Sequence, residues 1–343
     1  MTGPRLELSR AQILAFRRRV GALDQRLPSG PDALRQAAWA GLQDSVPRAA
    51  LHSLHARVRG IGPTALDDPS LVQLWGPRFS AYVVADADRA IFTLGRCPDR
   101  GRKRQLAEEL ADRLETYLDG RRMSYGQAGH ALGIHPNQLR YAAPTGRVLI
   151  DWDGARQPTV WTVAAPDMDV VEARLELARR YLHVFGPGTV AGFSDWAGIV
   201  PVRAQGAFHA LAASLAPARA PIGDGWILAS DEAVFRAPAA PAAPARLLPS
   251  GDAFFLLQGA DRDLLVPDTT RRTSLWTPRV WPGALLVGGE LAGTWRRSQA
   301  DVSIHPWRRL SRGERDAVEA EAVSLPLPGV LGPARVRWED SAE

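Results

Sequence analysis

Apolar residues recur at helical spacing in three separate parts of the chain, and each time the pattern runs on to a similar corner. Amphipathic runs over Arg10–Val20, Gln105–Leu118 and Val171–Phe185 predict helices. Beyond them lie three corners of matching character: Trp39-Ala40-Gly41-Leu42, Ala131-Leu132-Gly133-Ile134 and Trp196-Ala197-Gly198-Ile199. After the second and third corners one residue precedes a proline, Pro136 and Pro201. A proline suits the first turn of a helix, whose N–H groups have no helical partner. After the first corner come Gln43-Asp44-Ser45, with Pro47 opening the next helical pattern and Ser45 placed as its N-cap.

Strand signals follow the second and third corners. Arg147–Asp151 and Thr159–Val163 flank Asp153-Gly154, and Ala218–Ile222 and Trp226–Ala229 flank Asp224-Gly225. Asp-Gly between alternating apolar runs predicts a hairpin. Helix, helix, turn, helix, hairpin is the order of a winged helix-turn-helix. Three copies make a repeat architecture, with units expected at 7–97, 98–166 and 167–236. In this alignment Gln43 falls where His135 and Val200 fall, at the mouth of the first unit's expected recognition helix. Trp39 and Trp196 fall on the buried face of the preceding helices and are expected in the core.

The low-complexity stretch Ala237–Ala245, APAAPAAPA, reads as an extended linker. Beyond it, over 246–339, the pattern changes to short strands: Ala253–Gln258, Asp263–Val266, Gly283–Val287, Leu291–Arg296, Val302–Trp307 and Arg335–Trp338. Gly288-Gly289 predicts a two-residue hairpin turn. Ser311 with Glu314 predicts a capping box at the head of one helix, Ser311–Val323. The expected fold is therefore α+β: three tandem winged helix-turn-helix units followed by a small C-terminal antiparallel β-barrel.

Charge sharpens the picture. The 343 residues carry a formal net charge of +5, and almost all the basic residues are arginine, since Lys103 is the sole lysine. The guanidinium fork suits phosphates and guanine edges. Double-stranded DNA is the expected partner, although solvated basic surface on an ordinary soluble protein would have the same composition. Cys97 is the only cysteine and the histidines lack zinc spacing, so neither metal nor cofactor is expected. His52 and His55, one helical turn apart, read as surface or groove-facing. No run reaches the ~18 apolar residues of a membrane span and the N-terminal residues do not read as a signal peptide. A cytoplasmic monomer is expected.

The first corner carries the candidate chemistry. Gln43, Asp44 and Ser45 sit beside the positive end of a helix, where a phosphate or a polarised water can be held. The same three residues could equally do no more than punctuate a turn.

The chain resembles a known family at several landmarks. These are Leu8-Ser9-Arg10, Gly41-Leu42-Gln43, Ala178-Arg179-Arg180-Tyr181-Leu182 with Phe185-Gly186-Pro187, and Leu286-Val287-Gly288-Gly289-Glu290-Leu291-Ala292-Gly293-Thr294-Trp295-Arg296. Their order is similar to that of the winged-helix DNA glycosylases of the AlkZ and YcaQ type. The resemblance implies a cradle around duplex DNA and excision of alkylated purines, bulky and crosslinking adducts included. It also implies catalysis by a motif of Gln, an apolar residue, then Gln or Asp, which falls on Gln43, Asp44 and Ser45. The first position is kept; the second is Asp rather than apolar, and the third is Ser. Asp44 could supply the missing negative charge if the turn points it to the same site as Gln43. DNA contacts are expected from Arg48, Arg140, Arg147 and Arg203 at the corners and wings. In the C-terminal region they are expected from Arg271, Arg272 and Arg296, with Trp295 as a base-stacking candidate. A non-catalytic DNA-binding or regulatory protein, and a winged-helix protein with protein partners, remain the alternatives.

Overall fold

The computed structural model describes residues 5–46, 48–154, 156–330 and 332–339. Pro47, expected to open a helix, lies outside them.

Among the described residues the order begins β1 (Leu6–Glu7), α1 (Arg10–Val20), α2 (Pro31–Ala37), β2 (Leu42–Gln43), α3 (Ala49–Arg57), β3 (Leu71–Trp75), β4 (Ala81–Ala85) and α4 (Arg89–Thr93). It continues with α5 (Arg102–Leu118), β5 (Met123–Ser124), α6 (Tyr125–Ala131), a 3-10 helix over Pro136–Thr145, β6 (Val148–Asp151) and β7 (Thr159–Thr162). Then come α7 (Val170–Phe185), α8 (Val190–Ala197), α9 (Pro201–Ala210), β8 (Leu215–Ala220), β9 (Gly223–Leu228) and α10 (Glu232–Arg236). The last part holds β10 (Ala245–Leu248), α11 (Ala260–Leu265), α12 (Thr269–Leu275), β11 (Gly283–Val287), β12 (Glu290–Ser298), β13 (Asp301–Pro306), α13 (Arg312–Val323) and β14 (Arg335–Trp338).

The strands form three sheets. The hairpins β3–β4 and β6–β7 meet at Gln73 and Ile150 and build a six-stranded sheet ordered β2-β4-β3-β6-β7-β5. Its edge strand β2 carries Gln43. The hairpin β8–β9 turns at Pro221-Ile222, so Asp224-Gly225 lies in β9 rather than at the expected tip. On its outer edge β8 receives β1 in parallel, Leu6 beside Ala218. Helix α1, headed by a Ser9–Gln12 capping box, packs on α7 and α10, with Phe16 stacked on Phe235 at 3.6 Å.

The largest core lies under α7, α8 and α9, where Tyr181, Phe185, Phe193 and Trp196 pack ring on ring. Trp196 is buried as expected, whereas Trp39 is half-buried with the Arg180 guanidinium 3.9 Å above its ring.

Two C-terminal expectations need correction. Ala253–Gln258 and Asp263–Val266 are not strands: a 3-10 turn over Ala253–Phe255 and the helix α11 occupy that region. An unbroken apolar run has no period to distinguish strand from helix. The strands β10 to β14 form an open sheet in sequence order, with no pairing of β14 to β10 among the described residues. The first four are antiparallel and β14 joins β13 in parallel, so the sheet is neither closed nor wholly antiparallel. The Gly288-Gly289 turn and the Ser311–Glu314 capping box are as expected.

Helix α3 departs furthest from expectation. Instead of facing outward as a recognition helix, all nine of its residues are buried. Its polar side chains face the C-terminal part. Arg57 grips Asp252 with two bonds of 2.7 and 2.8 Å, and the Ser53 hydroxyl donates to the same carboxylate at 2.7 Å. Burial alone would raise the Asp252 carboxyl. The Arg57 charge and bonds, with the Phe254 N–H and Ser53, overrule it and hold the group below its ordinary value. His52 and His55, expected at the surface, are buried, and that burial depresses them to about 4 and about 3. Both are neutral near pH 7.

Candidate active site

The site begins with β2. Gln43 pairs with Tyr82 of β4, and the Asp44 N–H donates to the Ala81 carbonyl at 2.8 Å. Extended backbone sends successive side chains to opposite faces. Gln43 therefore takes the face of Tyr82 and Asp44 the opposite one, with Gln73; beyond them the chain bends at Ser45.

On the first face, Gln43 Oε1 accepts from the Arg78 guanidinium at 3.2 Å and the Tyr82 hydroxyl at 3.3 Å. A guanidinium can only donate, so the oxygen of the amide must be the atom that faces it. Burial raises the Tyr82 phenol, which keeps its proton and stays a donor. The other end of the amide lies against Gly251, where an added Cβ would stand 3.1 Å from Nε2. Gly251 also has φ +75°, so both the backbone and the space require glycine there.

Arg78 reaches Gln43 from a strained turn. The β3–β4 hairpin closes over Pro77–Ser80, with the Ser80 N–H on the Pro77 carbonyl at 3.1 Å. Its two central residues, Arg78 and Phe79, have φ of 55° and 58°. This is the primed turn that suits strand twist, normally built from Asn-Gly. Holding non-glycine residues there costs of order 1–3 kcal/mol each. The Arg96 guanidinium, 4.9 Å from the Phe79 ring, helps to clamp the tip from inside. Burial lowers Arg96 to about 10, which leaves it charged near pH 7.

Asp44 points into the protein and is 1% exposed. Its Oδ1 accepts from the Ala50 N–H at 3.0 Å, so Asp44, and not Ser45, caps α3. The residue at the cap position of the backbone, Arg48, is left-handed with φ 61°. Asp44 Oδ2 accepts from the Gln73 amide at 2.7 Å, and Gln73 Oε1 accepts from the Trp152 N–H at 2.6 Å. A relay thus ties the corner to the loop of the second hairpin. Burial raises the Asp44 carboxyl to about 6, against the pull of the Ala50 N–H, Arg48 and Gln73. As a group acting directly on substrate Asp44 is misplaced; it braces the corner.

Ser45 is exposed and opens on a cavity of about 500 Å³. Arg140 lies on the same cavity, while Arg48 borders a second cavity of about 320 Å³ with Asp151, Asp153 and Arg156. Arg147 is drawn to Asp112, Glu115 and Glu108 of α5. Arg203 is half-buried on α9. Arg271 pairs with Asp268, and Arg272 with Asp263. Arg296 is exposed beside Val280. Trp295 is no stacking platform: it is 4% exposed and its Nε1–H donates to the Leu248 carbonyl at 2.8 Å. Among the described residues no group of His, Cys, Asp and Glu could hold a metal.

Gln73, Arg78, Tyr82 and Gly251 escaped the sequence reading. Gly76-Pro77 between two apolar runs was a usable hairpin signal. Nothing in a sequence announces left-handed Arg and Phe.

An amide held by a cation thus lies at a hairpin corner on a mixed α+β scaffold. Residues 37–325 match the profile of the family described as DNA glycosylase AlkZ-like. The chain belongs to that family: it is a DNA glycosylase, a hydrolase of N-glycosyl bonds whose substrate is DNA. Among solved structures it is similar in fold to the Streptomyces sahachiroi DNA glycosylase AlkZ. The two are 17% identical with a TM-score of 0.78, over 97% of this chain and 100% of that one. No curated protein sequence matches it. No helix among the described residues is long and apolar enough to cross a membrane.

Proposed function

We propose that the enzyme excises alkylated purines from duplex DNA, bulky or crosslinking adducts included, and that Gln43 acts at the reacting sugar. The repeats at 7–97, 98–166 and 167–236 serve as winged helices. With the linker 237–245 and the region 246–339 they form a cradle for the duplex. The observation that carries this reading is the fixing of the Gln43 amide by Arg78 and Tyr82, two residues before exposed Ser45.

The chemistry asks little of the protein. An N7- or N3-alkylated purine is cationic and already a good leaving group. The enzyme must hold water against an oxocarbenium-like sugar, as in other glycoside hydrolysis. With Oε1 engaged, the Nε2 hydrogens of Gln43 remain to hold the oxygen of that water. The Ser45 hydroxyl can orient it but supplies no charge, and the Asp44 carboxylate lies on the far face. The positive charge of the lesion therefore supplies most of the driving force. DNA binding falls to Arg48, Arg140, Arg203 and Arg296, with Arg147, Arg271 and Arg272 weaker because carboxylates already hold them.

The test is incubation with a duplex carrying N7-methylguanine and a readout of abasic sites. The native enzyme excises the base. Gln43→Ala loses about 10²–10³ in rate, as for removal of one preorganised donor, with DNA affinity unchanged. Ser45→Asp, which puts a carboxylate at the third position of the family motif, raises the rate. No excision by the native chain from any N7- or N3-alkylated duplex, or an unchanged rate in Gln43→Ala, overturns the reading.

A further inference from the structure

We propose that the corner at the end of α8 positions Arg78, and through Arg78 the Gln43 amide, with Gly198 and Arg96 as the positioning residues. The proposal rests on the reading of Gln43 given above. The corners of the second and third repeats look alike in sequence and backbone but meet different neighbours. Gly133 and Gly198 both stand in the left-handed region, with φ of 67° and 69°. A Cβ added at Gly133 would meet nothing within 4 Å. One added at Gly198 would stand 3.0 Å from the Arg78 backbone nitrogen and 3.2 Å from its Cα. Backbone geometry thus favours glycine at both corners, and at Gly198 the close approach of the strained turn requires it as well.

The corner that backs Arg78 is firm. The Gly198 and Ile199 N–H groups donate to the Ser194 carbonyl at 2.9 and 3.1 Å, and the Ser194 hydroxyl donates to the Ile199 carbonyl at 2.7 Å. Arg96 joins this corner to the hairpin. Its Nε donates to the Ala197 carbonyl at 3.0 Å and its Nη1 to the Trp75 carbonyl at 3.1 Å, at the foot of the turn. Its guanidinium carbon lies 4.9 Å from the centre of the Phe79 ring at the tip. A rigid fork of donors can span two carbonyls and a ring at once; an ammonium on a flexible stem holds no such geometry. Arg78 is therefore seated between Gly198 behind its main chain and Phe79, which Arg96 holds. The seat matters because the Arg78 bond to Gln43 Oε1, 3.2 Å, stands at the long end of the range for such bonds. A displacement of a few tenths of an ångström loses it.

The matched backbones of Gly133 and Gly198 separate positioning from stability. Gly133→Ala and Gly198→Ala both lower the melting temperature, since alanine is strained at either φ. On a duplex carrying N7-methylguanine under single-turnover conditions, Gly198→Ala excises about tenfold more slowly, the scale of a small misplacement at a reacting centre. Gly133→Ala keeps the wild-type rate. Both bind undamaged duplex as the wild type does. Arg96→Lys, which keeps the charge and loses the fork, also slows excision about tenfold, and it carries the test if Gly198→Ala does not fold. Neither change slows excision further in an Arg78→Ala background, where the bond they protect is already gone; a purely structural role costs the same factor in both backgrounds. If Gln43→Ala or Arg78→Ala excises normally, the Gln43 reading fails whatever the corner does. If both are slow, yet Gly198→Ala and Gly133→Ala excise at equal rates, or Gly198→Ala and Arg96→Lys cost the same factor with and without Arg78, the positioning proposal alone is overturned.

Discussion

Helices α3 and α9 follow corners of the same character, yet one is wholly buried and the other is largely exposed. On α9, Val202 is 72% exposed, and Gln205, Gly206 and His209 face solvent. On α3 the polar positions carry His52, Ser53, His55 and Arg57, and all of them are covered by the C-terminal part. The difference lies in what the polar residues meet. On α3 they find Asp252, Ser324 and Trp295. Polar residues at helical spacing therefore did not mark a wet face; they marked a polar interface. With α3 used as a keystone, the candidate site sits one element back, on the edge strand β2 and its neighbouring turn.

That contrast can be broken most severely at the keystone. Asp252→Ala leaves Arg57 buried without its partner and costs about 3–5 kcal/mol, read as a lower denaturant midpoint. On α9, Arg203→Ala stays within about 0.5 kcal/mol, the range of an ordinary surface change. Equal losses at the two sites would erase the distinction.

A smaller effect tests the bracing residue. The folded-state value of Asp44, about 6, lies above the ordinary carboxylate value of 3.8. The folded protein thus binds the proton more tightly, and stability falls as pH rises from about 4 to 6. That displacement corresponds to roughly 3 kcal/mol. His52 and His55, depressed by burial, tilt stability the opposite way, with loss on acidification below about 6.5. The quantity to measure is therefore the difference between wild type and Asp44→Asn in urea midpoints from pH 4 to pH 7. That difference shifts in favour of the variant as pH rises, and a flat difference would falsify the burial of an ionisable Asp44.

The strained tip gives a third contrast. Replacing Arg78-Phe79 by Asn-Gly fits the turn type and relieves strain, so thermal stability rises by about 1 kcal/mol or more. Excision falls at the same time, because Gln43 loses its cation. A variant both more stable and fully active would show that the tip serves only the fold. The smallest expected effect is on binding: Arg203→Ala weakens duplex affinity evenly across sequences and lowers the salt slope by about one.

The sequence made the regular parts legible because they follow local rules. The capping box at Ser311, the Gly288-Gly289 hairpin and the core position of Trp196 all rest on spacing or on backbone freedom that short segments encode. The site was legible only to the level of a corner. Gln43 could be named, but its partners Arg78 and Tyr82 arrive from a hairpin more than thirty residues away. The inward turn of Asp44 depends on strand β2, which exists only because β4 is there to pair with it. The misreading of Ala253–Gln258 had another cause, since that apolar run is equally compatible with a helical turn packed under a sheet.

The parallel pairing of β1 with β8 has a consequence for the order of assembly during synthesis. Leu6 must wait for Ala218, and Phe16 on α1 must wait for Phe235. At roughly 5–20 residues per second, about 10–40 s pass between the emergence of the first partner and the last. During that interval Ile13 and Phe16 of α1 lack Ala218, Ile227 and Phe235, which cover them in the finished protein. This segment, made before its partners, is thus among the last to settle, and it completes the sheet of β8 and β9. A nascent chain stalled before Ala218 presents this helix to protease, and one released beyond Arg236 hides it.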